Sequence, residues 1–218
     1  MKNYKLPTRQ QCFDIIKQCH MPAHILRHSL ATEKAAVFLA QKLAEKGIEI
    51  DVELVERAAL LHDLFRVCDC RLADFSRFDQ PVTEYDKLQW KKLKTKFPDM
   101  YHEDACFEFF KDQYPQLALT IRRHKYIAIN DKDDKPETWE QKLVYYADKR
   151  AMHDEIVTLK HRLDEVHARS ARLRLPGSDS PDIAAIDKSI FELEKEIFSY
   201  LDFPPDDLNQ QTDYNEAV

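Results

Sequence analysis

The chain has 218 residues and a formal net charge of −6. That length suits one helical domain with an extension, and the acidity argues against a duplex nucleic-acid binder, which needs a basic face to displace counterions. Only two glycines occur, Gly47 and Gly177, so a Gly-rich phosphate loop is excluded.

Few glycines, with Leu, Ala, Glu, Lys and Gln at helical spacing, predict an all-α fold. Thr8 can cap a first helix over about 8–20, with Cys12, Ile15 and Ile16 on one face. Met21-Pro22 breaks it, and a long second helix, about 22–46, ends at Gly47. Its stripe is Ile25, Leu26, Ala35, Ala36, Leu39, Ala40 and Leu43, and His24 and His28 share a face four residues apart. Asp51 can cap a third helix over about 52–66, which buries Leu54, Ala58, Leu61 and Leu64 or Phe65. A polar helix is expected at about 83–96, with Lys91, Lys92, Lys94 and Lys96 as a solvated face. Helices at about 102–113 and 115–125 follow; His102 opens the first and His124 closes the second. A polar, flexible loop is expected over 126–136, then a helix over about 137–152 that carries Asp148.

Residues 153–203 read as an antiparallel helical hairpin. Ile156, Leu159, Leu163 and Val166 mark its first helix, and Ile183, Ile186, Ile190, Leu193, Ile197 and Leu201 its second. A Pro/Gly/Ser turn joins them, and the hairpin can cover the domain or a second copy as a homodimer. Residues 1–152 would form the main domain, and the polar tail 204–218 is expected to be disordered.

The five cysteines are Cys12, Cys19, Cys68, Cys70 and Cys106. With an opening Met1 to Lys5 that lacks the apolar core of a secretory leader, they point to reduced thiols in the cytoplasm. One residue separates Cys68 from Cys70, too few for the usual zinc pair. No apolar run reaches membrane-spanning length.

The chain is organised around Ala58-Ala59-Leu60-Leu61-His62-Asp63, followed by Arg66. A carboxylate at the end of an apolar helix costs several kcal/mol or more to bury unless a charge or a metal compensates. Neutral imidazole and carboxylate are standard ligands for divalent transition metals. An isolated His-Asp pair is weak evidence, but His28 lies upstream, and His102, His124 and Asp148 lie downstream.

The order His28…His62-Asp63…Asp148 resembles the HD superfamily of metal-dependent phosphohydrolases. The matching stretches are Met21 to Ser29, Ala58 to Asp63 and Val144 to Arg150, together spanning about 20–152. The resemblance implies a helical bundle in which His28, His62, Asp63 and Asp148 hold one divalent ion (Mn, Fe, Co, Ni or Zn). His102 and His124 resemble the extra histidines of subgroups with two ions, in which Asp63 would bridge. The implied chemistry is hydrolysis of a nucleotide or other small phosphoester by metal-activated water. Arg66, Lys149 and Arg123 would then take phosphate oxygens, and Arg122 and Lys125 could draw in an anion. The glycine-tyrosine-proline signature of cyclic-dinucleotide phosphodiesterases is absent. His24 is expected to support a ligand or face solvent, and His153, His161 and His167 to lie at the surface. The alternatives are a non-catalytic signalling or scaffold module and a diiron oxygenase of a related fold.

Overall fold

A computed structural model describes residues 4–69, 78, 80–173 and 182–216. The predicted Pro/Gly/Ser turn and Cys70 lie outside those residues. The elements are α1 (Arg9–Gln18), α2 (Ala23–Glu45), α3 (Val52–Leu61), α4 (Glu84–Lys96), α5 (His102–Phe110), α6 (Pro115–Arg122) and α7 (Trp139–Asp148). A two-stranded ribbon follows, β1 (Ala151–Met152) and β2 (Glu155–Ile156), then α8 (Leu159–Leu173), α9 (Ile183–Phe198) and α10 (Leu208–Glu216). The all-α prediction holds.

Local chemistry sets the helix starts. Thr8, Thr83 and Thr138 each close a reciprocal capping box, with Gln11, Asp86 and Gln141 respectively. Asp51 accepts the amides of Glu53 and Leu54 at 3.1 and 3.2 Å. Gly47, at φ 86°, supplies the left-handed turn that ends the α2 region.

The centre is α2 packed on α3 and α7, with α3 also against α6 and α7. Small buried residues at the interfaces (Ala35, Ala36, Ala40, Ala58, Ala59 and Ala147) let the backbones approach closely, and Leu39, Leu43, Leu61 and Leu143 fill the remaining volume. Phe65 packs edge-on to Phe109 and tilted against Phe97, so it is core as expected. In α4, Lys91, Lys92 and Lys96 are exposed and Trp90 is buried, donating from Nε1 to the His20 carbonyl at 2.7 Å.

Four expectations need correction. The third helix stops at Leu61 rather than 66. Beyond it the chain tightens into i→i−3 hydrogen bonds, Leu64 to Leu61 and Arg66 to Asp63, and turns away from the helix axis. Tyr126–Asn130 is a 3₁₀ turn with Ala128 and Ile129 buried in the core and Ile127 exposed, and α9 packs on it. Residues 151–156 form the β ribbon, with His153 at φ 58°, and α8 begins only at Leu159. The tail is not disordered over 205–216. Leu208 and Thr212 are buried and α10 packs on α2, so a few apolar contacts outweigh its polar composition.

The α9 stripe, Ile186, Ile190, Leu193 and Ile197, is buried within this chain, and α9 rests on α7 and the Tyr126–Asn130 turn. A buried arginine fastens this C-terminal part to the centre. Arg150 donates to the Val157 carbonyl at 2.5 Å and the Pro205 carbonyl at 2.9 Å, and also to the Tyr146 hydroxyl; Glu194 lies 3.5 Å away. Burial pushes the Glu194 carboxyl up, against the pull of Tyr146 and Arg150. Replacing Arg150 by Ala leaves Glu194 and two carbonyls without this partner. The expected loss is about 3–5 kcal/mol, read as a lower urea midpoint, and Glu194→Gln should cost less.

Candidate metal centre

The ligand-type residues sit mostly where helices end. His62 follows the last residue of α3, His124 lies two residues beyond α6, and Asp148 is the last residue of α7. His102 is the first residue of α5, and His28 lies in the first third of α2. The negative ends of α3, α6 and α7 therefore converge on one place, which favours a cation there.

The ring orientations are fixed. The His62 Nδ1–H donates to the Ala59 carbonyl at 2.8 Å, and the His124 Nδ1–H to the Ile121 carbonyl at 2.5 Å. A carbonyl only accepts, so Nδ1 carries a proton and Nε2 is the nitrogen left to face the cluster. Asp69 grips His102 twice, accepting the backbone amide at 2.9 Å and ring Nδ1 at 2.6 Å. All three rings thus present Nε2 inward.

Those nitrogens meet two carboxylates. His28 Nε2 lies 3.0 Å from Asp148 Oδ1 and 3.8 Å from Asp63 Oδ2. His62 Nε2 lies 3.6 and 3.7 Å from the same two oxygens. The other oxygen, Asp63 Oδ1, lies 2.9 Å from His102 Nε2 and 3.7 Å from His124 Nε2, and those two nitrogens are 3.1 Å apart. Asp63 therefore faces one nest of donors with each oxygen.

The donor set fits divalent ions. Bonds of about 2.1 Å at right angles leave neighbouring donors about 3 Å apart, close to the shorter separations here. His62 Nε2 is buried and has no hydrogen-bond partner among the described residues, a cost that coordination would remove. Borderline imidazole with hard carboxylate suits Mn, Fe, Co, Ni or Zn.

Burial alone would push the Asp63 carboxyl up; His62, Arg66 and His102 outweigh it and hold it well below the usual range. Asp148 is depressed in the same way, against burial, by Lys149, His28 and His62. Burial and the Arg66 charge disfavour the proton on His102, yet Asp63 and Asp69 prevail and raise its pKa to about 9. Burial and the neighbouring imidazoles lower that of His124. Protons shared among these groups thus balance the carboxylates, and an incoming cation must displace them.

The cluster floors a cleft of about 150 Å³ lined also by Arg66, Glu103 and Tyr126. A larger cavity of about 570 Å³, beside Arg9, Glu33 and Thr212, contains none of the clustered histidines and aspartates. Arg66 reaches the cleft with 41% of its side chain exposed, and its Nη1 lies 3.1 Å from each ring nitrogen of His102. Lys149 differs from expectation. Its ammonium donates to Asp148 Oδ2 at 2.5 Å and to the His124 carbonyl at 2.9 Å, so it supports the ligands first.

Arg123 is not a phosphate group at all. It is buried and donates to Glu137 at 2.7 Å, Gln141 at 2.9 Å and the Asp133 carbonyl at 3.1 Å, which anchors the turn before α7. Arg122 and Lys125 pair with Asp104. His24 stands outside the donor groups, edge-on to Phe78 at 4.7 Å. His153 and His161 are exposed, but His167 lies 3.3 Å from the Tyr126 hydroxyl and 3.4 Å from Asp187. Sequence reasoning missed Asp69 and Glu103. The first lies between two cysteines that drew attention to themselves, and the second is masked by its neighbour His102.

Because Asp69 sets the His102 ring, Asp69→Ala should weaken metal binding about 10–100-fold while the helical circular-dichroism signal stays unchanged. A competitive metal titration of both proteins would measure it, and equal affinities would refute the role.

A family model described as HD domain matches residues 25–153, over half of the chain. A curated relative, the tRNA (cytidine(56)-2'-O)-methyltransferase of Picrophilus torridus, is 26% identical over 160 residues, covering 73% of this chain and 41% of the relative. The chain thus spans less than half of that protein, whose named activity is its own. No solved structure matches the chain significantly. Among the described residues no helix is long and apolar enough to cross a membrane. With the family match covering the stretch that brings His28, the His62-Asp63 pair and Asp148 together, the chain belongs to the HD domain family, a superfamily of metal-dependent hydrolases.

Proposed function

We propose that this protein is a metal-dependent phosphohydrolase acting on a nucleotide or another small phosphoester or pyrophosphate, with a dinuclear centre. The observation that supports the reading is Asp63, whose Oδ2 lies nearest His28 and His62 and whose Oδ1 lies nearest His102 and His124, within one continuous cluster in which His124 also neighbours His62 and Asp148. In this reading Asp63 would offer one oxygen to each of two ions.

Divalent ions, when bound, supply the Lewis acidity that lowers the pKa of water toward neutrality and polarises a phosphoryl oxygen. The chain's own residues do the rest. Lys149 holds Asp148, and the Ala59 and Ile121 carbonyls hold the rings of His62 and His124, so the donors are fixed before substrate arrives. Arg66, at the cleft mouth, takes a non-bridging phosphate oxygen and offers a planar pair of donors. Burial of the cluster excludes bulk water and strengthens these interactions. Glu103 Oε2, buried and without a hydrogen-bond partner among the described residues, lies 3.2 Å from His102 Nδ1 and adds negative charge behind that ring.

Metal content per chain tests the reading. The wild type, purified without chelator and assayed on nucleotides, dinucleoside polyphosphates and a generic phosphodiester, is expected to carry two ions and to turn over. The His102→Ala/His124→Ala double variant should retain one ion and lose most activity. Asp63→Ala should lose both ions and at least 10³-fold in turnover, by analogy with the loss of central catalytic groups (roughly 10³–10⁴). Wild-type turnover in Asp63→Ala would refute the site, and absence of metal and turnover after adding manganese, cobalt or iron would favour a binding module.

A further inference from the structure

Part of the cleft wall comes from α8, which lies beyond residues 25–153 and so outside the stretch that matches the family. It contributes Arg162 and Arg169, with Leu163 and Val166 between them. Seven residues apart, the two arginines share a helix face and stand about 10 Å apart along the axis. Glu165 lies between them, its Oε2 2.5 Å from Arg162 Nη1 and its Oε1 3.5 Å from Arg169 Nη1. It steers both guanidinium groups, a common device for holding arginines ready for an anion.

Arg162 is the more telling of the two. Only 14% of its side chain is exposed, and its Nε is buried without a partner among the described residues. A buried N–H left unpaired is costly, and an oxygen delivered into the cleft would pair it. The position of α8 is itself secured. The Tyr126 hydroxyl, at the cleft edge, donates to Asp187 of α9 at 2.7 Å and lies 3.3 Å from His167 Nε2 of α8. Leu159 and Leu163 are buried beneath.

Charge then limits the occupant. A single phosphoryl group at the cluster would be met by divalent ions held there and by Arg66. Arg162 and Arg169 share the single carboxylate of Glu165, and the positive charge left on the wall favours a ligand that carries negative charge beyond the first phosphoryl. We infer that Arg162 and Arg169 of α8 form a clamp for a second phosphate, so that the cleft selects ligands with two or more linked phosphates over monoesters. The inference rests on the phosphohydrolase reading for its site but concerns binding, which can be measured separately.

The test is equilibrium binding of imidodiphosphate, which resists hydrolysis, and of inorganic phosphate to the metal-loaded protein at fixed free Mn²⁺. Wild type should bind imidodiphosphate at least about tenfold more tightly than phosphate. Arg162→Gln should erase that margin, leaving phosphate affinity and metal content unchanged. Arg169→Gln, at a more exposed position, should reduce it in part, and Arg162→Lys should restore some of it. Equal wild-type affinities for the two anions, or variants that weaken both alike, would overturn the clamp. A protein that shows the preference but hydrolyses neither pyrophosphates nor p-nitrophenyl phosphate would keep the clamp and reject the hydrolase reading.

Discussion

Two carboxylates, Asp63 buried and Asp148 largely so, set the terms for the whole structure. Asp63 and Asp148 stand among imidazoles in a region largely closed to water, where an uncompensated charge would cost several kcal/mol. Compensation has to come from three directions at once. α2 brings His28, α3 brings His62, and the segment from α5 to α6 brings His102 and His124. The alanine-rich contacts among α2, α3 and α7 make that meeting possible, since larger side chains would hold the helices apart. Core packing and site assembly are therefore one requirement, met by the same residues.

The same solution appears twice in the backbone. Beyond α3 and beyond α6, a histidine ring donates to the carbonyl three residues before it, Ala59 for His62 and Ile121 for His124. Carbonyls in a last helical turn lack helical partners. Here a ring that must be oriented adds a donor to such a carbonyl, which at Ile121 also accepts the His124 backbone amide at 3.1 Å. Each ring is thus aimed from its own helix end, and its Nε2 points to where three helix dipoles are negative.

The parts of this that were legible in the sequence are those governed by near neighbours. Thr8 and Asp51 mark helix starts because a cap and its amides lie within three residues, and the structure shows the same arrangement at Thr83 and Thr138. The ordered set from His28 to Asp148 was legible because each residue sits in or beside an apolar helix that has no other use for it. Asp69, Lys149 and Arg123 were opaque for the opposite reason. Asp69 acts on a residue 33 positions away, and Lys149 on a carbonyl 25 positions away. Arg123 reads from the sequence as a residue that could take a phosphate oxygen, whereas Glu137, Gln141 and the Asp133 carbonyl occupy its guanidinium. The tail failed for a related reason. Its composition is polar, and its order depends on Leu208 and Thr212 meeting α2 and on Arg150 reaching Pro205.

Placing ligands at helix ends also governs which insertions and deletions the chain can tolerate. One residue added inside α3 or α7 would rotate everything beyond it by about 100° and advance it by about 1.5 Å. His62, Asp63 or Asp148 would then swing out of the cluster even with every side chain retained. The lengths of these two helices, measured from their packed middles to their last residues, are thus fixed as firmly as the ligands themselves. Drift in length is expected instead at surface turns that carry no donor.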